Sequence, residues 1–398
     1  MGDRNSFPFL IVGGGIGGLA TALALGRRGI RVHVMERAPE FGEIGAGLQI
    51  APNASRVLDS LGILESVTRD AFFPERLVLM DAVSGEEITA VDTGSSFVEW
   101  FGYPYCVTHR ADLLQALLDA ARDEPTVTLE PSKDVTSVET AAGGARVTCA
   151  DGTVYDADAL VGADGLHSVT RRSIVDEGEP VCSGFVAYRG TIPMEDMRSK
   201  AGLRELKDMV IWTGPSLHLV QYPVRRGELC NQVAVFESAA YRAGAEAWGT
   251  PEELDRTFAG MCPEVKSGVA IMDRSRRWPL FDRPPIDNWT RDHVTLLGDA
   301  AHPMLQYLAQ GACQALEDAV VLAGSVHAHG GDVDSAFKAY QAERQPRTAR
   351  VQTTARMFGE VLHIGGVGAS MRTALLRQRA HADYSEFDWL YAYTAPRF

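Results

Sequence analysis

The chain has 398 residues, 45% of them hydrophobic and 23% charged, enough for two domains. Its formal charge of −14 argues against nucleic acid as the main partner, because phosphate binding calls for clustered Lys and Arg. No apolar stretch is long enough to cross a bilayer, and no basic region followed by an apolar block stands at residues 1–8. Six cysteines (Cys106, Cys149, Cys182, Cys230, Cys262 and Cys313) lie far apart without paired spacing. They fit neither a metal site nor a disulfide scaffold, so no metal, no membrane span and a reducing cytoplasm are the expectations.

Residues 9–12 are a short apolar run that predicts a strand. It leads into Gly13-Gly14-Gly15-Ile16-Gly17-Gly18, an apolar-periodic helix over 16–27 and a second strand over 31–35. A glycine-rich loop by itself is often a plain turn; strand, helix and acidic residue together make it a dinucleotide fold. Gly13 permits the tight turn, Gly15 lets backbone approach a pyrophosphate, and Gly18 lets the helix pack on the strand. The helix turns its free amides and positive end toward the phosphates. Glu36 ends the second strand, where a carboxylate accepts from the adenosine ribose. This first segment does not choose between NAD and FAD.

Further along, Arg110 opens a helical pattern carrying Leu113, Leu114, Leu117 and Leu118. It can reach a flavin chain, or stand as a solvated helix-end charge. A buried strand over 157–161 runs into Gly162-Ala163-Asp164-Gly165, followed by Ser168 and Arg171. An apolar strand over 293–297 stops at Gly298-Asp299-Ala300-Ala301-His302-Pro303, where Asp299 can accept from ribityl hydroxyls. A helix beginning near Gly311 would aim its positive end at the isoalloxazine and favour anionic reduced flavin.

Between the second and third segments, residues 184–191, 209–213, Leu217–Val224 and 231–236 read as short strands of a mostly antiparallel sheet. Alternation puts His218, Val220 and Tyr222 on one face. On a sheet covering a flavin they would line an aromatic pocket; the plainer alternative is a half-buried histidine satisfied by backbone. At the other end of the chain, residues 335–356 predict a helix with Tyr340, Arg344 and Arg347 turned back on the flavin part. The aromatic stretch 383–393 is expected to cap the chain's own core rather than a subunit interface.

The three glycine segments together resemble the class A, single-component FAD-dependent aromatic hydroxylases built on the para-hydroxybenzoate hydroxylase fold. The resemblance runs from residue 9 to about residue 393. It implies an α/β fold: a Rossmann-like FAD-binding domain (1–75, 99–180, 277–350), an interleaved, mostly antiparallel substrate domain (76–98, 181–276), and a C-terminal helical region (351–398). The implied flavin contacts are Gly13, Gly15, Gly18, Glu36, Arg37, Arg110, Asp164, Asp299, Gly311 and Ala312. In this family the Asp-Gly element also serves the pyridine nucleotide.

One departure narrows the resemblance. Where many members carry a loop-shaping proline after Gly-Asp-Ala-Ala-His, this chain has Gln306, a hydrogen-bonding side chain beside the reacting ring. With residues 181–190 and 217–223, it resembles the 3-hydroxybenzoate 6-hydroxylase branch. That likeness implies that His218 and Gln306 bracket a substrate phenol, with Tyr222 and Tyr105 at the carboxylate or the ring. A phenol has a pKa near 10, so an imidazole of intrinsic pKa about 6.5 suits removal of its proton. The phenolate would then meet the distal oxygen of a flavin C4a-hydroperoxide.

The implied reaction converts 3-hydroxybenzoate to gentisate with NADH (or NADPH) and O2; the reductant is a transient partner, since no separate nicotinamide motif appears. A homodimer is left open. Two other readings stand: salicylate or a larger polyketide or indole ring as substrate, and a flavin-binding protein without hydroxylase activity.

Overall fold

The computed structural model describes residues 5–42, 46–141, 143–200 and 206–395. Its first sheet has eight strands, with a parallel core. Asn5–Val12 pairs on one side with Val32–Met35 and on the other with Val154–Gly162, which pairs in turn with Val294–Leu296. Strands buried on both faces need near-continuous apolar runs, which is why 9–12 and 157–161 were readable as strands. The consequence is positional. Glu36 and all three glycine segments leave the carboxyl edge of adjacent parallel strands, where α/β sheets bind ligands.

Backbone hydrogen bonds continue past the strand ends and lock the segments side by side. Gly13 N donates to Met35 O (2.8 Å), Ala163 N to Val12 O (2.8 Å), and Leu297 N to Gly162 O (2.9 Å). Gly13 has φ +109°, and a Cβ there would lie 2.3 Å from Ala163 O. A Cβ on Gly18 would lie 1.9 Å from Gly13 O, so the Ile16–Gly26 helix packs against the turn at backbone distance.

The second sheet has seven strands in the order Trp278–Asp282, Val181–Pro193, Leu229–Glu237, Leu217–Val224, Met209–Gly214, Arg76–Asp81, Glu87–Asp92. It is antiparallel except where Met209–Gly214 runs parallel to Arg76–Asp81. Trp278–Asp282 corrects the boundary at 276: it pairs with Val181–Pro193 and so belongs to this sheet. Its single proline and flanking arginines give a five-residue strand no alternating pattern. The helix expected over 335–356 spans Val333–His363, so it crosses the boundary drawn at 350. Pro346 lies inside it.

A largely buried polar network joins that helix to Gly311–Ala328. Arg344 donates to Asp318 (2.7 Å) and Gln314 (2.8 Å) and pairs with Glu317; Arg347 reaches Glu317 at 2.7 Å. Asp318 also accepts from Gly298 N (3.0 Å) and from His302 Nε2 (2.5 Å). Burial pushes the Asp318 carboxyl up, but His302 and Arg344 outweigh that and hold it at about 2. Arg347 further donates to the carbonyls of Trp389 and Leu390, and Tyr384 and Tyr391 pack on Phe97 and Phe101. The aromatic stretch therefore caps the chain's own core. No helix among the described residues is long and apolar enough to cross a membrane.

Removing one partner of a buried ion pair costs about 3–5 kcal/mol. Asp318→Asn is expected to lower the unfolding free energy by about that much in urea titration, whereas Asp156→Asn at the exposed Arg146 pair should leave the midpoint near wild type. Equal midpoints for both variants and the wild type would contradict this.

Candidate active site

A cavity of about 960 Å³ lies between the carboxyl edge of the first sheet and the inner face of the second. Gly13, Gly15, Glu36, Arg37 and Arg110 line it, as do Asp164, Asp299, Gly311 and Ala312. Gly18 is the one expected flavin contact that does not line it; its place is beneath Gly13, as its packing role requires.

The individual geometries refine the expected roles. Both Glu36 oxygens already accept backbone amides, from Gly14 (2.8 Å) and Ala38 (2.9 Å), which fixes the carboxylate at the end of its strand. Each oxygen keeps a lone pair for a further donor. Asp164 is turned inward: it accepts from Ser168 Oγ (2.5 Å) and Thr170 N (3.0 Å), stiffening the second segment. Arg171, 2% exposed, donates to the carbonyls of Ala300 (2.8 Å) and Ala301 (2.9 Å) and so clamps the second segment to the third. Asp299 stands exposed on the wall beside the start of the 18-residue Gly311–Ala328 helix, whose N-cap Gln310 makes no side-chain cap. Its free amides face the cavity where Gly311 and Ala312 line it.

His218, Tyr222, Tyr105 and Gln306 line the same cavity. His218 and Tyr222 share the inner face of Leu217–Val224, as alternation requires. Gln306 opens the short turn Gln306–Leu308. Gly47 brings the first domain close: its amide donates to Asn231 (2.6 Å), and a Cβ there would strike the Tyr222 ring at 2.5 Å. Tyr105 donates to Gln49 Oε1 (2.5 Å), and Tyr222 is hydrogen-bonded to the same glutamine. Burial raises both phenols, so both stay neutral donors.

Sequence reasoning missed several of these groups. Gln49 carries no motif, and Arg189, a lining residue whose positive charge bears on Tyr222, sits in a strand of mixed character. His363 was missed as well. Its Nε2 lies 2.7 Å from His218 Nδ1, across 145 residues of sequence. Burial, and secondarily the neighbouring His363, holds His218 well below its usual value; burial holds His363 at about 4.

The family model described as "FAD binding domain" matches residues 6–355. The chain is 40% identical over 385 residues to 3-hydroxybenzoate 6-hydroxylase of Klebsiella oxytoca, covering 96% of each chain. It is 36% identical to 3-amino-4-hydroxybenzoate 2-monooxygenase of Streptomyces cremeus, covering 99% of this chain and 97% of that one. Among solved structures, Klebsiella pneumoniae R204Q HpxO complexed with FAD superposes with a TM-score of 0.82 at 27% identity, covering 94% of this chain and 95% of the other.

The chain belongs to the class A FAD-dependent aromatic hydroxylases. The residues of this flavoprotein fit the cofactor. The backbone of the first glycine turn is open at Gly15, where a Cβ would meet nothing within 4 Å, which leaves room for a pyrophosphate. Glu36 would meet the ribose, Asp299 the ribityl chain, and the uncapped helix start at Gly311 would favour negative charge on the ring.

Both imidazoles carry a lowered pKa in the folded flavoprotein, so unfolding takes up protons as pH falls below the unfolded value near 6.5, for His363 down to about 4. Stability therefore falls as pH drops through that window. His363→Gln removes one such group and is expected to flatten the slope by up to about 1.4 kcal/mol per pH unit, measured by urea unfolding at several pH values. An unchanged slope would contradict a buried neutral His363.

Proposed function

We propose that this hydroxylase converts 3-hydroxybenzoate to 2,5-dihydroxybenzoate (gentisate), with NADH as reductant and O2 as co-substrate. The observation that supports the reading is that His218, Gln306, Tyr222 and Tyr105 all line the same cavity. Both curated relatives described above are named for hydroxybenzoate substrates, which supports the same class here.

The residues divide the work by their chemistry. His218 Nδ1 is taken by His363, which leaves Nε2 as the nitrogen that accepts a proton from a phenol in the cavity. Burial keeps the imidazole neutral and thus basic in form at working pH. Gln306 cannot titrate; its amide donates to the phenolic oxygen and fixes the ring's angle. At the carboxylate end, Tyr222 and Tyr105 would be neutral donors steered by Gln49, and Arg189 would supply positive charge beside Tyr222.

Leu77, Ile211, Val220 and Phe358 line the space around the ring and keep water from it. Bound FAD supplies electron uptake from NADH and activation of O2. Ionisation makes the carbons ortho and para to oxygen electron-rich, and the para carbon is the one that yields gentisate.

Incubation with 3-hydroxybenzoate, NADH and air is expected to give gentisate by chromatography, with NADH oxidation at 340 nm stimulated by the substrate. Catechol formed from salicylate but no gentisate would shift the assignment to a decarboxylating hydroxylase. Indifference to every aromatic acid would remove hydroxylation altogether. In His218→Ala, FAD should stay bound while product formation falls about 10²–10⁴-fold, the range of positioned general-base help. An undiminished yield would take His218 out of the reaction.

A further inference from the structure

His363 is the last residue of the Val333–His363 helix and does not line the cavity, yet it is the direct partner of the residue that does. The two imidazoles lie nearly in one plane, 20° apart with centroids at 5.0 Å, the arrangement of an in-line N–H···N bond. Phe185 stacks on His363 (4.5 Å, 17°), and Tyr307 stands edge-on to both imidazoles at 5.6 and 5.3 Å. Rings from the second sheet, the 306–308 turn and the long helix thus hold the pair in register.

The two histidines differ in exposure. His218 is 3% exposed, whereas His363 is half-buried and the next residue, Ile364, is 41% exposed. The pair spans the distance from the cavity wall to the edge of solvent.

We propose that His218 and His363 form a two-imidazole path that carries the substrate's phenolic proton out of the closed pocket. The proposal rests on His218 being the base, as argued above. His218 Nε2 takes the proton, the N–H at its Nδ1 passes to His363 Nε2, and the N–H at His363 Nδ1 goes to water. One proton enters and one leaves; no electrons move, and both rings end neutral with their tautomers exchanged. The ring pair then resets by the reverse exchange before the next substrate.

A lone buried imidazole that accepted the proton would instead hold a charge away from water, at a cost of several kcal/mol. The other titratable or charged groups nearby are the Tyr307 phenol, Arg372, which donates to the carbonyls of Val361 and Leu362, and two carboxylates whose charges bear on Tyr307, Asp282 and Glu237. Asp282 is paired with Arg356 and Glu237 with Arg242, and among the described residues neither carboxylate is hydrogen-bonded to the imidazole pair, so neither traps the proton. The lowered affinity of both rings for a resting proton agrees with a conduit rather than a store.

The test is proton release rather than turnover. Oxidised, FAD-loaded protein is mixed with 3-hydroxybenzoate in weak buffer containing a pH indicator, and the dye is followed by stopped flow. The wild type is expected to release up to one proton per site. His363→Gln should bind FAD and substrate within about twofold of wild type but release the proton at least 10-fold more slowly. His363→Ala should regain the fast phase with added imidazole and not with pyrazole, which has the shape but not the basicity. Wild-type release in His363→Gln, with release lost in His218→Ala, would overturn the relay alone. Wild-type release in both variants would overturn the base role beneath it as well.

Discussion

Asp318 accepts a hydrogen bond from the Gly298 amide and another from His302 while ion-pairing with Arg344, all without exposure to water. Those two bonds hold both ends of the turn that presents Asp299 to the cavity. A buried carboxylate is tolerable only when every neighbour supports its charge. Here Arg344 does so, and its remaining donors are taken by Glu317 and Gln314. Glu317 in turn accepts from Arg347 and Asn53. The network thus fastens the third flavin segment to the long helix, to the 52–60 helix and, through Arg347, to the aromatic stretch near residue 390. A single carboxylate fixes the spacing on which the flavin wall depends.

The opposite wall depends on close approach rather than charge. Gly47 admits the Tyr222 ring where any larger residue would collide, and Asn231 seals the contact with a hydrogen bond. The inner face of the second sheet is therefore carried over the carboxyl edge of the first, and His218 is placed opposite the segments that fit the cofactor. Arg171 performs the complementary task within the flavin wall by joining the second segment to the third.

Local backbone demands explain what could be read from sequence. The turn at Gly13, the strand alternation through Leu217–Val224 and the abrupt strand end at Gly298 each follow from neighbouring residues, so the order of elements and the flavin wall were legible. Gln306 was singled out by the family resemblance rather than by local backbone demands, and it lines the cavity. What escaped was long-range pairing of polar side chains. Arg344 was readable as facing the flavin part, but Glu317 and Asp318 look like surface charges until the helices meet. His363 falls at a helix end without a motif, and Gln49 becomes meaningful only when Tyr105 and Tyr222 converge on it. The short strand Trp278–Asp282 takes its identity from its partner, Val181–Pro193, rather than from its own pattern.

The central claim is that an imidazole stripped of water ionises a substrate phenol. The most direct measurement is the ultraviolet difference spectrum of 3-hydroxybenzoate bound to oxidised, FAD-loaded protein near pH 7, in the wild type and in His218→Asn. A phenolate band in the wild type that disappears in the variant is the expected result. A bound but neutral phenol in the wild type, or an equal phenolate band in both, would contradict the account.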